Sequence, residues 1–293
     1  MPELPEVETL RRQLAASLSG RKIKSARIFW VGTIRPLSAR IFCRKIKNQK
    51  IINIGRRAKI LYFELAGGDF LLIHLKMTGQ LIFRPAQQRS KKDIIGGHPQ
   101  PGGADNLPNK FTRLRLDFFD GSVLFFNDLR KFGWIKLLSA KEAKKILTLH
   151  GLEPLEKGFT ASKLTELFRR YPRRPIKQIL MDQTLIAGIG NIYADESCFA
   201  AGILPTRLAG QITPTETKSL EQNIKKILRL SISKKGTSFS DYLDSDGTPG
   251  GFVPYLKVYG RAGKKCRRKN CRGIIKKIKI GGRGTHFCED CQK

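Results

Sequence analysis

The sequence has no apolar run of the length that crosses a lipid bilayer, which is about 18 residues or more. It also has no secretory signal, because its first residues, Met-Pro-Glu-Leu-Pro-Glu, are acidic and contain prolines instead of a basic start and an apolar segment. These two absences predict a protein of the cytoplasm without a membrane association.

Acidic residues are scarce relative to basic ones. The chain of 293 residues has 24 Asp and Glu against 56 Lys and Arg, which gives a net charge of +32. The basic residues are spread over the whole length, so a polyanionic partner is expected. Since a membrane segment is lacking, nucleic acid is the better candidate for that partner.

Cysteine is scarce outside one short segment. Of six cysteines, Cys43 and Cys198 stand alone in apolar surroundings, and the other four lie between Cys266 and Cys291. This distribution favours one metal site in a reducing compartment over a disulfide framework. The chain length and the apolar content of 40% predict a sizeable core, divided over two domains with a small appendage.

The first half of the chain predicts a leading helix followed by a mostly antiparallel sheet or sandwich. Apolar residues recur at helical spacing over 7–18, and Gly20 follows as a stop signal. Asp120-Gly121 predicts a hairpin between two alternating runs. A loop from Pro85 to Asn109, rich in Gly, Pro and Gln, is expected to be exposed. The predicted strands are 59–65, 70–75, 113–119 and 122–126.

The second half is predicted to be helical. The clearest helix follows Thr213, which forms a capping box with Glu216 and precedes Pro214 at the first helical position. A glycine-rich segment from 236 to 260 then leads to the cysteines. The other predicted helices are 141–147, 162–170, 176–181 and 193–201. The sequence thus predicts an α+β protein.

Pro2 and Glu3 are candidate catalytic residues. If Met1 is removed, Pro2 carries a free secondary amine, and about a tenth of such α-amino groups is unprotonated at neutral pH, far more than for lysine. The amine is therefore a ready nucleophile for an aldehyde carbon. A structural explanation is open at this point too, because Pro5 and Glu6 suit the first turn of a helix.

The spacing Cys266-x4-Cys271 and Cys288-x2-Cys291 predicts a metal site. Two close pairs of thiolates, separated by a hairpin-length insert, suit tetrahedral zinc, because each pair can sit on one tight turn. One structural Zn²⁺ per chain is expected. Arg283 lies in a glycine-rich sequence between the pairs, where a hairpin tip would present its guanidinium to a phosphate. An ordinary exposed arginine is the alternative.

Further candidate residues occur in turns and between helices. The segment 188–191, Gly-Ile-Gly-Asn, separates two helical stretches, and its glycines permit a phosphate to approach the backbone. Lys59 precedes an apolar strand and by default is a solvated basic residue. Met77, Arg130 and Phe132 lie in turns that follow strands. Taken singly, Met77 and Phe132 are more typical of a core.

The first residues, Pro-Glu-Leu-Pro-Glu-Val-Glu-Thr, resemble the N-terminus of formamidopyrimidine-DNA glycosylases, the bacterial base-excision enzymes for oxidised purines. The segment 188–196 resembles the helix-two-turn-helix motif of that family, and the resemblance runs from residue 2 to residue 293. It implies damaged double-stranded DNA as the partner of a monomer. The implied domains are an N-terminal antiparallel β-sandwich (2–138), a linker (139–155), a helical DNA-binding domain (156–260) and a zinc ribbon (261–293).

The resemblance implies four catalytic residues. Pro2 attacks C1′ of the deoxyribose and forms an iminium, and Glu3 handles protons. Lys59 contacts the lesion and its neighbouring phosphate. Arg283 binds a DNA phosphate and supports the lyase step, in which the 3′ and then the 5′ phosphate are eliminated without a redox cofactor.

The resemblance also implies five DNA-binding residues. Met77, Arg130 and Phe132 fill the gap left by an everted nucleotide, with Arg130 facing the orphaned base. Lys177 is expected to contact a phosphate, and Asn191 to cap a helix or donate to DNA. A solvated helix face is the alternative for Lys177.

The sequence departs from the family pattern in three places. Four residues separate Cys266 and Cys271, where the family commonly has two. Lys110-Phe111-Thr112-Arg113 stands where the family often has Lys-His-x-His, so Arg113 is the candidate substitute for a histidine contact to DNA. The loop 85–109 is an insertion relative to compact members.

Two other functions stay open. A relative of the endonuclease VIII group would share Pro-Glu, zinc and fold but prefer oxidised pyrimidines, and Leu4 with the complete set of Met77, Arg130 and Phe132 favours the purine enzyme instead. A non-enzymatic DNA-binding zinc-ribbon protein would explain the charge and the cysteines. It gives no reason for Pro2-Glu3.

Overall fold

The structure is a computed structural model that describes residues 1–86, 93–101, 103–104, 106–237 and 251–293. The described chain divides into two compact units. Unit 1 contains Met1–Thr148 with the described part of Lys234–Gly251, and unit 2 contains Leu149–Ser233 with Phe252–Lys293. The domain boundaries predicted at 138, 155 and 260 stay a prediction. Most of the predicted glycine-rich segment, 238–250, lies outside the described residues.

Unit 1 contains three α-helices, one short 3-10 helix (Val31–Ile34) and nine strands among its described residues. The α-helices are α1 (Leu4–Leu18), α2 (Ala39–Ile46) and α3 (Ala140–Thr148). The strands are β1 (Ile23–Ile28), β2 (Ile51–Arg57), β3 (Ile60–Leu65), β4 (Asp69–His74), β5 (Gly79–Arg84), β6 (Ile94–Gly97), β7 (Thr112–Phe118), β8 (Val123–Asp128) and β9 (Trp134–Ser139).

The strands of unit 1 form two antiparallel sheets around one apolar core. Their orders are β1-β7-β8-β5-β6 and β2-β3-β4-β9. Phe63 and Leu71 of one sheet and Leu116 and Phe126 of the other belong to the same buried cluster, which also includes Leu10 of α1. Because alternate side chains of each strand point inward, the two sheets enclose the core between them. The predicted sandwich with a leading helix is confirmed.

Helix α1 is held against this core by one stripe of its surface. Val7, Leu10, Leu14 and Leu18 are all buried, at the helical spacing that the sequence shows. Gly20 follows with φ +84°, the left-handed conformation that ends a helix without a Cβ penalty. The predicted hairpin at 120–121 joins β7 to β8.

The exposed loop predicted from Pro85 to Asn109 is wrong in its middle part. Strand β6 pairs antiparallel with β5, with Ile82 opposite Ile95, and Gln100 is also buried. Glycines weaken the strand signal, but Gly96 has a packing reason: a Cβ there would lie 2.4 Å from Leu10 Cδ1. Residues 87–92, 102 and 105 lie outside the described residues.

Unit 2 contains four described α-helices and a two-stranded sheet. The predicted capping box is present, because Glu216 N–H donates to Thr213 Oγ1 at 3.2 Å and Thr213 N–H donates to Glu216 Oε2 at 2.8 Å. Among the helices described, none is long and apolar enough to span a membrane. The elements are α4 (Ala161–Arg170), α5 (Ile176–Met181), α6 (Asn191–Ala201), α7 (Pro214–Ser233), β10 (Lys276–Ile280) and β11 (Arg283–Phe287).

Candidate functional site

Pro2 and Glu3 are buried at the start of α1, where a neighbouring carboxylate fixes their backbone. Glu3 N–H donates to Glu6 Oε2 at 2.9 Å. Glu6 Oε1 accepts from Thr237 N–H at 2.8 Å and from the Thr237 hydroxyl at 3.0 Å. Glu6 therefore joins the chain beside Pro2 to a segment far away in the sequence. From the sequence, only a favourable position in the first turn of a helix was expected of Glu6, because no sequence pattern indicates Thr237 as its partner.

Lys59 is buried in the tight turn between β2 and β3. Ala58, which precedes it, has φ +53°, a conformation that few residues other than glycine adopt. Arg56 Nη1 donates to the Ala58 carbonyl at 2.8 Å, and Arg56 Nε donates to Glu8 Oε2 at 3.2 Å. Because Glu8 belongs to α1, these two bonds place the first turns of α1 next to the turn that carries Lys59.

Glu8 is ionised in this arrangement. Burial alone would raise the pKa of its carboxyl group, but hydrogen bonds from Arg11 and Arg12 and the charge of Arg56 hold that pKa below its ordinary value. Arg11 Nη2 and Arg12 Nε each lie 2.8 Å from Glu8 Oε1. The carboxylate is thus charged at neutral pH and remains a partner for Arg56.

Met77, Arg130 and Phe132 are presented at the surface of unit 1. Met77 is 38% exposed and Phe132 is 52% exposed, so neither is a core residue. The Arg130 guanidinium carbon lies 4.6 Å from the centre of the Phe132 ring, within the range of a cation–π contact. Gly79 is opposite Asp128 in the pairing of β5 with β8. The turn before β5 and the turn after β8 therefore lie at the same end of the sheet.

Arg113, the candidate substitute for the missing histidine, binds the protein backbone. It is 8% exposed, and its Nε donates to the Asp128 carbonyl at 2.9 Å and its Nη1 to the Lys110 carbonyl at 3.0 Å. Burial lowers its pKa. These bonds favour a structural role, and the DNA contact expected of Arg113 stays a prediction. Lys110 is the exposed basic residue of the same turn, and it lies over the Phe111 ring.

Lys177 and Asn191 converge on the backbone of the β10–β11 hairpin. Lys177 is 1% exposed, and its ammonium lies 2.6 Å from Asp195 Oδ1. It donates to Thr285 Oγ1 at 2.8 Å and to the Gly284 carbonyl at 3.1 Å, which also accepts from Asn191 Nδ2 at 2.9 Å. The alternative of a solvated helix face is excluded by this burial, and the phosphate contact of Lys177 stays a prediction. The lysine supports the hairpin.

Helix α6, which begins at Asn191, contributes two buried carboxylates for which the sequence analysis proposed no role. Asp195 Oδ2 accepts from His286 N–H at 2.8 Å and lies 3.1 Å from His286 Nδ1. Glu196 accepts backbone N–H donors of Lys257, Val258 and Tyr259 at 2.8 to 3.0 Å, although burial raises its pKa. The sequence did contain an indication of these roles, because Asp195 and Glu196 are adjacent acids in a largely apolar helix. Buried charges need partners, so such a pair predicts contacts with other segments.

Arg283 occupies the hairpin tip, as predicted. It is exposed and lies opposite Ile280, and Gly281 and Gly282 between them have φ +54° and +75°. Two successive left-handed residues are typical of the tight turn that matches the twist of antiparallel strands. A cavity of ≈ 330 Å³ adjoins Arg283, and its lining includes Arg174. Asp182 lines the same cavity and its Oδ2 lies 3.1 Å from Arg174 Nη2, so the exposed Arg283 is the better placed guanidinium for an anionic ligand.

The four cysteines of unit 2 form one cluster. All their sulfur atoms lie within 4.8 Å of one another, and the Sγ distances Cys266–Cys291 and Cys271–Cys288 are both 3.7 Å. Zinc–sulfur bonds of about 2.3 Å in a tetrahedron place the sulfurs about 3.8 Å apart. A disulfide would need about 2.05 Å. The donor set and its spacing therefore fit one structural zinc ion.

The longer first knuckle, with four residues between Cys266 and Cys271, has a structural explanation. Arg267 donates to the carbonyls of Pro254 and Leu256, both at 3.0 Å. Arg268 donates to the Phe199 carbonyl at the end of α6, and its guanidinium carbon lies 4.9 Å from the Phe199 ring centre. Cations near the C-terminus of a helix are stabilised by its dipole. The extra residues thus anchor the knuckle to unit 2 without separating the four sulfurs.

Known families match the chain in three consecutive parts. Residues 1–135 match the formamidopyrimidine-DNA glycosylase N-terminal domain, 150–242 match the H2TH domain of the same glycosylase, and 263–293 match the zinc finger found in FPG and IleRS. The formamidopyrimidine-DNA glycosylase of Desulfitobacterium hafniense is 39% identical over 295 residues, covering 100% of both chains. The chain belongs to the formamidopyrimidine-DNA glycosylase family.

Other members of the glycosylase family are similar to this chain over its full length, in sequence or in structure. The enzyme of Pelotomaculum thermopropionicum is 40% identical over 296 residues, covering 100% of this chain and 99% of that protein. The Lactococcus lactis Fpg in complex with an abasic site containing DNA has a TM-score of 0.85 at 32% identity, with 99% of both chains covered. A mutant of that Fpg with a Fapy-dG containing DNA gives the same score and identity, with full coverage of both chains.

Within the glycosylase family, the four cysteines are the ligands of a structural zinc ion. We expect that Cys271→Ser abolishes zinc binding and weakens DNA binding, because the apolar cluster of the ribbon is too small to fold it alone. Elemental analysis of purified protein and a DNA titration measure the two effects. Cys43→Ser, in unit 1, is the control and retains one zinc per chain. A zinc content near zero in fully active protein would contradict this assignment.

Glu6→Gln is expected to destabilise the chain by about 1 to 3 kcal/mol, because the amide keeps one acceptor oxygen and turns a donor group toward the backbone N–H of Glu3 or Thr237. Denaturant unfolding followed by fluorescence measures the change. Glu166→Gln is the matched control at an exposed carboxylate that pairs with Lys163, where the expected change is within about 0.5 kcal/mol. Equal midpoints for the two variants would disprove the anchoring role of Glu6.

Proposed function

We propose that this chain excises oxidised purines, such as 8-oxoguanine and formamidopyrimidines, from duplex DNA with Pro2 as the nucleophile. Family membership makes it a DNA glycosylase and abasic-site lyase of base excision repair. The observation that carries the assignment of Pro2 is its burial beside Glu3, at a helix start whose backbone Glu6 fixes. The Glu3–Glu6 bond alone is a capping box of a helix start, and the bonds from Thr237 to Glu6 add an anchor from outside the helix.

In the first step, the proposed nucleophile is the secondary amine of Pro2, which exists once Met1 is removed. Its lone pair forms a bond to C1′ of the deoxyribose, and the bond from C1′ to the base breaks with its electron pair leaving on the base. Glu3 exchanges protons with the reacting sugar. The Pro2 nitrogen gives up the proton that it carried, and the departing base takes up one proton. The nitrogen lone pair then expels the ring oxygen from C1′, this oxygen takes up a proton from Glu3, and an iminium links Pro2 to the open-chain sugar.

In the second step, the iminium withdraws electrons and acidifies the C2′ protons. Loss of a C2′ proton forms a carbon–carbon double bond as the 3′ phosphate leaves with the electrons of its C–O bond, and the 5′ phosphate leaves in a further elimination. We propose that Arg283 holds a DNA phosphate during these steps. Its exposed guanidinium at a hairpin tip supports this role.

The reaction requires that the damaged nucleotide leaves the base stack, at a cost of a few kcal/mol. We propose that Met77, Arg130 and Phe132 fill the gap, with Arg130 facing the unpaired base. Their exposure at one end of the sheet supports this role. Lys59 is proposed to contact the lesion and its phosphate, and Asn191 to contribute to DNA binding.

The pyrimidine-specific alternative is less well supported. The relatives described above are named for formamidopyrimidine, a ring-opened purine, and two Lactococcus lactis structures contain abasic-site or Fapy-dG DNA. We further propose that the chain acts as a monomer in the bacterial cytoplasm, where DNA is present and thiolate ligands of zinc stay reduced.

Borohydride added during the reaction with an 8-oxoguanine duplex is expected to reduce the iminium and crosslink the DNA to Pro2. Mass spectrometry of one digest reads both the N-terminal mass and the crosslinked peptide. Protein with an N-terminal extension is the control and is expected to form no crosslink, because its Pro2 nitrogen is an amide without a nucleophilic lone pair. A crosslink at Lys59 or another lysine would overturn the mechanism.

Glu3→Gln is expected to lower the rate of base release by about a hundredfold or more, because the amide keeps the shape of the side chain but cannot exchange a proton. Binding to a duplex with a stable abasic-site analogue should change little. Single-turnover kinetics and a binding titration separate the two effects. Normal base release by the variant would exclude Glu3 from proton transfer.

A further inference from the structure

One buried hydrogen-bond network joins the Met77 turn to the turn that carries Arg130 and Phe132. The Thr78 hydroxyl donates to Asp128 Oδ1 and accepts from Arg130 N–H at 3.0 Å. Thr78 is 5% exposed and Asp128 is fully buried. A buried carboxylate is costly unless its oxygens are hydrogen-bonded, so the partners of Asp128 are held at fixed positions.

Asp128 binds both ends of the turn that carries Arg130 and Phe132. Its Oδ1 lies 3.2 Å from Arg130 N, the donor near the start of the turn, and its Oδ2 accepts from Gly133 N–H at 2.7 Å. The end of the turn has no room for a side chain, because a Cβ on Gly133 would lie 2.7 Å from Phe126 Cζ. The carboxylate thus spans the exposed residues between these two N–H groups.

The inserted segment that contains β6 supports the Met77 turn from the other side. Gln100 Nε2 donates to the carbonyls of Thr78 and His98, both at 2.8 Å, and Gln100 is 5% exposed. His98 N–H donates to the Gly79 carbonyl at 3.1 Å. The Thr78 hydroxyl therefore binds Asp128 at the end of β8, while the Thr78 carbonyl binds Gln100 in the segment that follows β6.

Both turns include a residue in the left-handed conformation next to an exposed side chain. Lys76, before Met77, has φ +51°, and Lys131, before Phe132, has φ +59°. Each such residue costs roughly 1 to 3 kcal/mol and persists only where its surroundings determine it. In the first turn, Lys76 N–H donates to His74 Nδ1 at 2.9 Å and Gly79 N–H donates to the Leu75 carbonyl at 2.8 Å. The bonds of Thr78 and Asp128 add the connection between the two turns.

We propose that Thr78 and Asp128 are positioning residues that hold Met77, Arg130 and Phe132 as one rigid array, so that all three enter the DNA together. This inference rests on the gap-filling role proposed above for those side chains. A preformed array loses less conformational entropy on insertion than three independent side chains do. Loss of the link therefore slows the opening of the base stack and leaves the chemistry at C1′ unchanged.

The test compares Thr78→Val, which removes the hydroxyl at similar volume, with Thr78→Ser, which keeps it. Each is assayed under single-turnover conditions on an 8-oxoguanine duplex and on a single-stranded oligonucleotide with an abasic site, which has no base pair to open. Thr78→Val should slow the duplex reaction by about tenfold or more, because it removes both buried hydrogen bonds of the hydroxyl. Thr78→Ser should restore it, and neither variant should change the single-strand cleavage.

A second signal reports on insertion itself. With 2-aminopurine next to the lesion, the fluorescence rise that follows unstacking should be slowed in Thr78→Val and normal in Thr78→Ser. If Thr78→Val does not fold, Asp128→Asn provides the same comparison, because its amide turns a donor toward Arg130 N–H or Gly133 N–H. Thermal unfolding and zinc content identify a variant that is merely unfolded.

Two results would overturn the inference. One is an equal slowing of both substrates by Thr78→Val, which indicates a general structural role, and the other is an unchanged duplex rate. Met77→Ala and Phe132→Ala are measured in parallel. If these also leave the duplex rate unchanged, the gap-filling function itself is wrong. If they slow it while Thr78→Val does not, only the role of the network is wrong.

Discussion

The need to satisfy buried carboxylates determines how this chain holds its functional segments. A buried carboxylate costs several kcal/mol unless its oxygens are bonded, so its partners are fixed wherever it lies. Glu6 fixes the backbone beside Pro2, Asp128 fixes the turn with Arg130, and Asp195 fixes the hairpin through Lys177. In each case the carboxylate itself is hidden, and the group that it positions is the one proposed to meet the substrate.

The same use of acids makes the surface more basic than the net charge suggests. The chain has only 24 acidic residues against a net charge of +32. Several of these acids are buried, so their charges are enclosed by protein partners while most Lys and Arg side chains face solvent. Such a surface attracts DNA at long range and releases counterions on binding. The buried acids are Glu3, Glu6, Asp128, Glu153, Asp195 and Glu196.

Sequence patterns predicted those structural features that depend on interactions between residues close together in the chain. The apolar period of α1, the capping box at Thr213 and the cysteine spacing were read correctly, because each depends on neighbours in the sequence. Strand β6 was missed because glycine weakens the strand signal, although Gly96 is needed for packing on Leu10. The ion pair of Lys177 could not be read from the sequence, because its partner Asp195 lies on another helix. Long-range contacts of single residues leave no periodic signal.

The departure from the family spacing shows how a local change is absorbed by the surrounding structure. Arg268 binds the end of α6 through the Phe199 carbonyl, while Asn191, at the start of the same helix, binds the hairpin next to Arg283. A zinc ion held by the four cysteines would link these two attachments. One helix thus holds the ribbon at both of its ends, at the four-residue knuckle and beside the hairpin tip that presents Arg283.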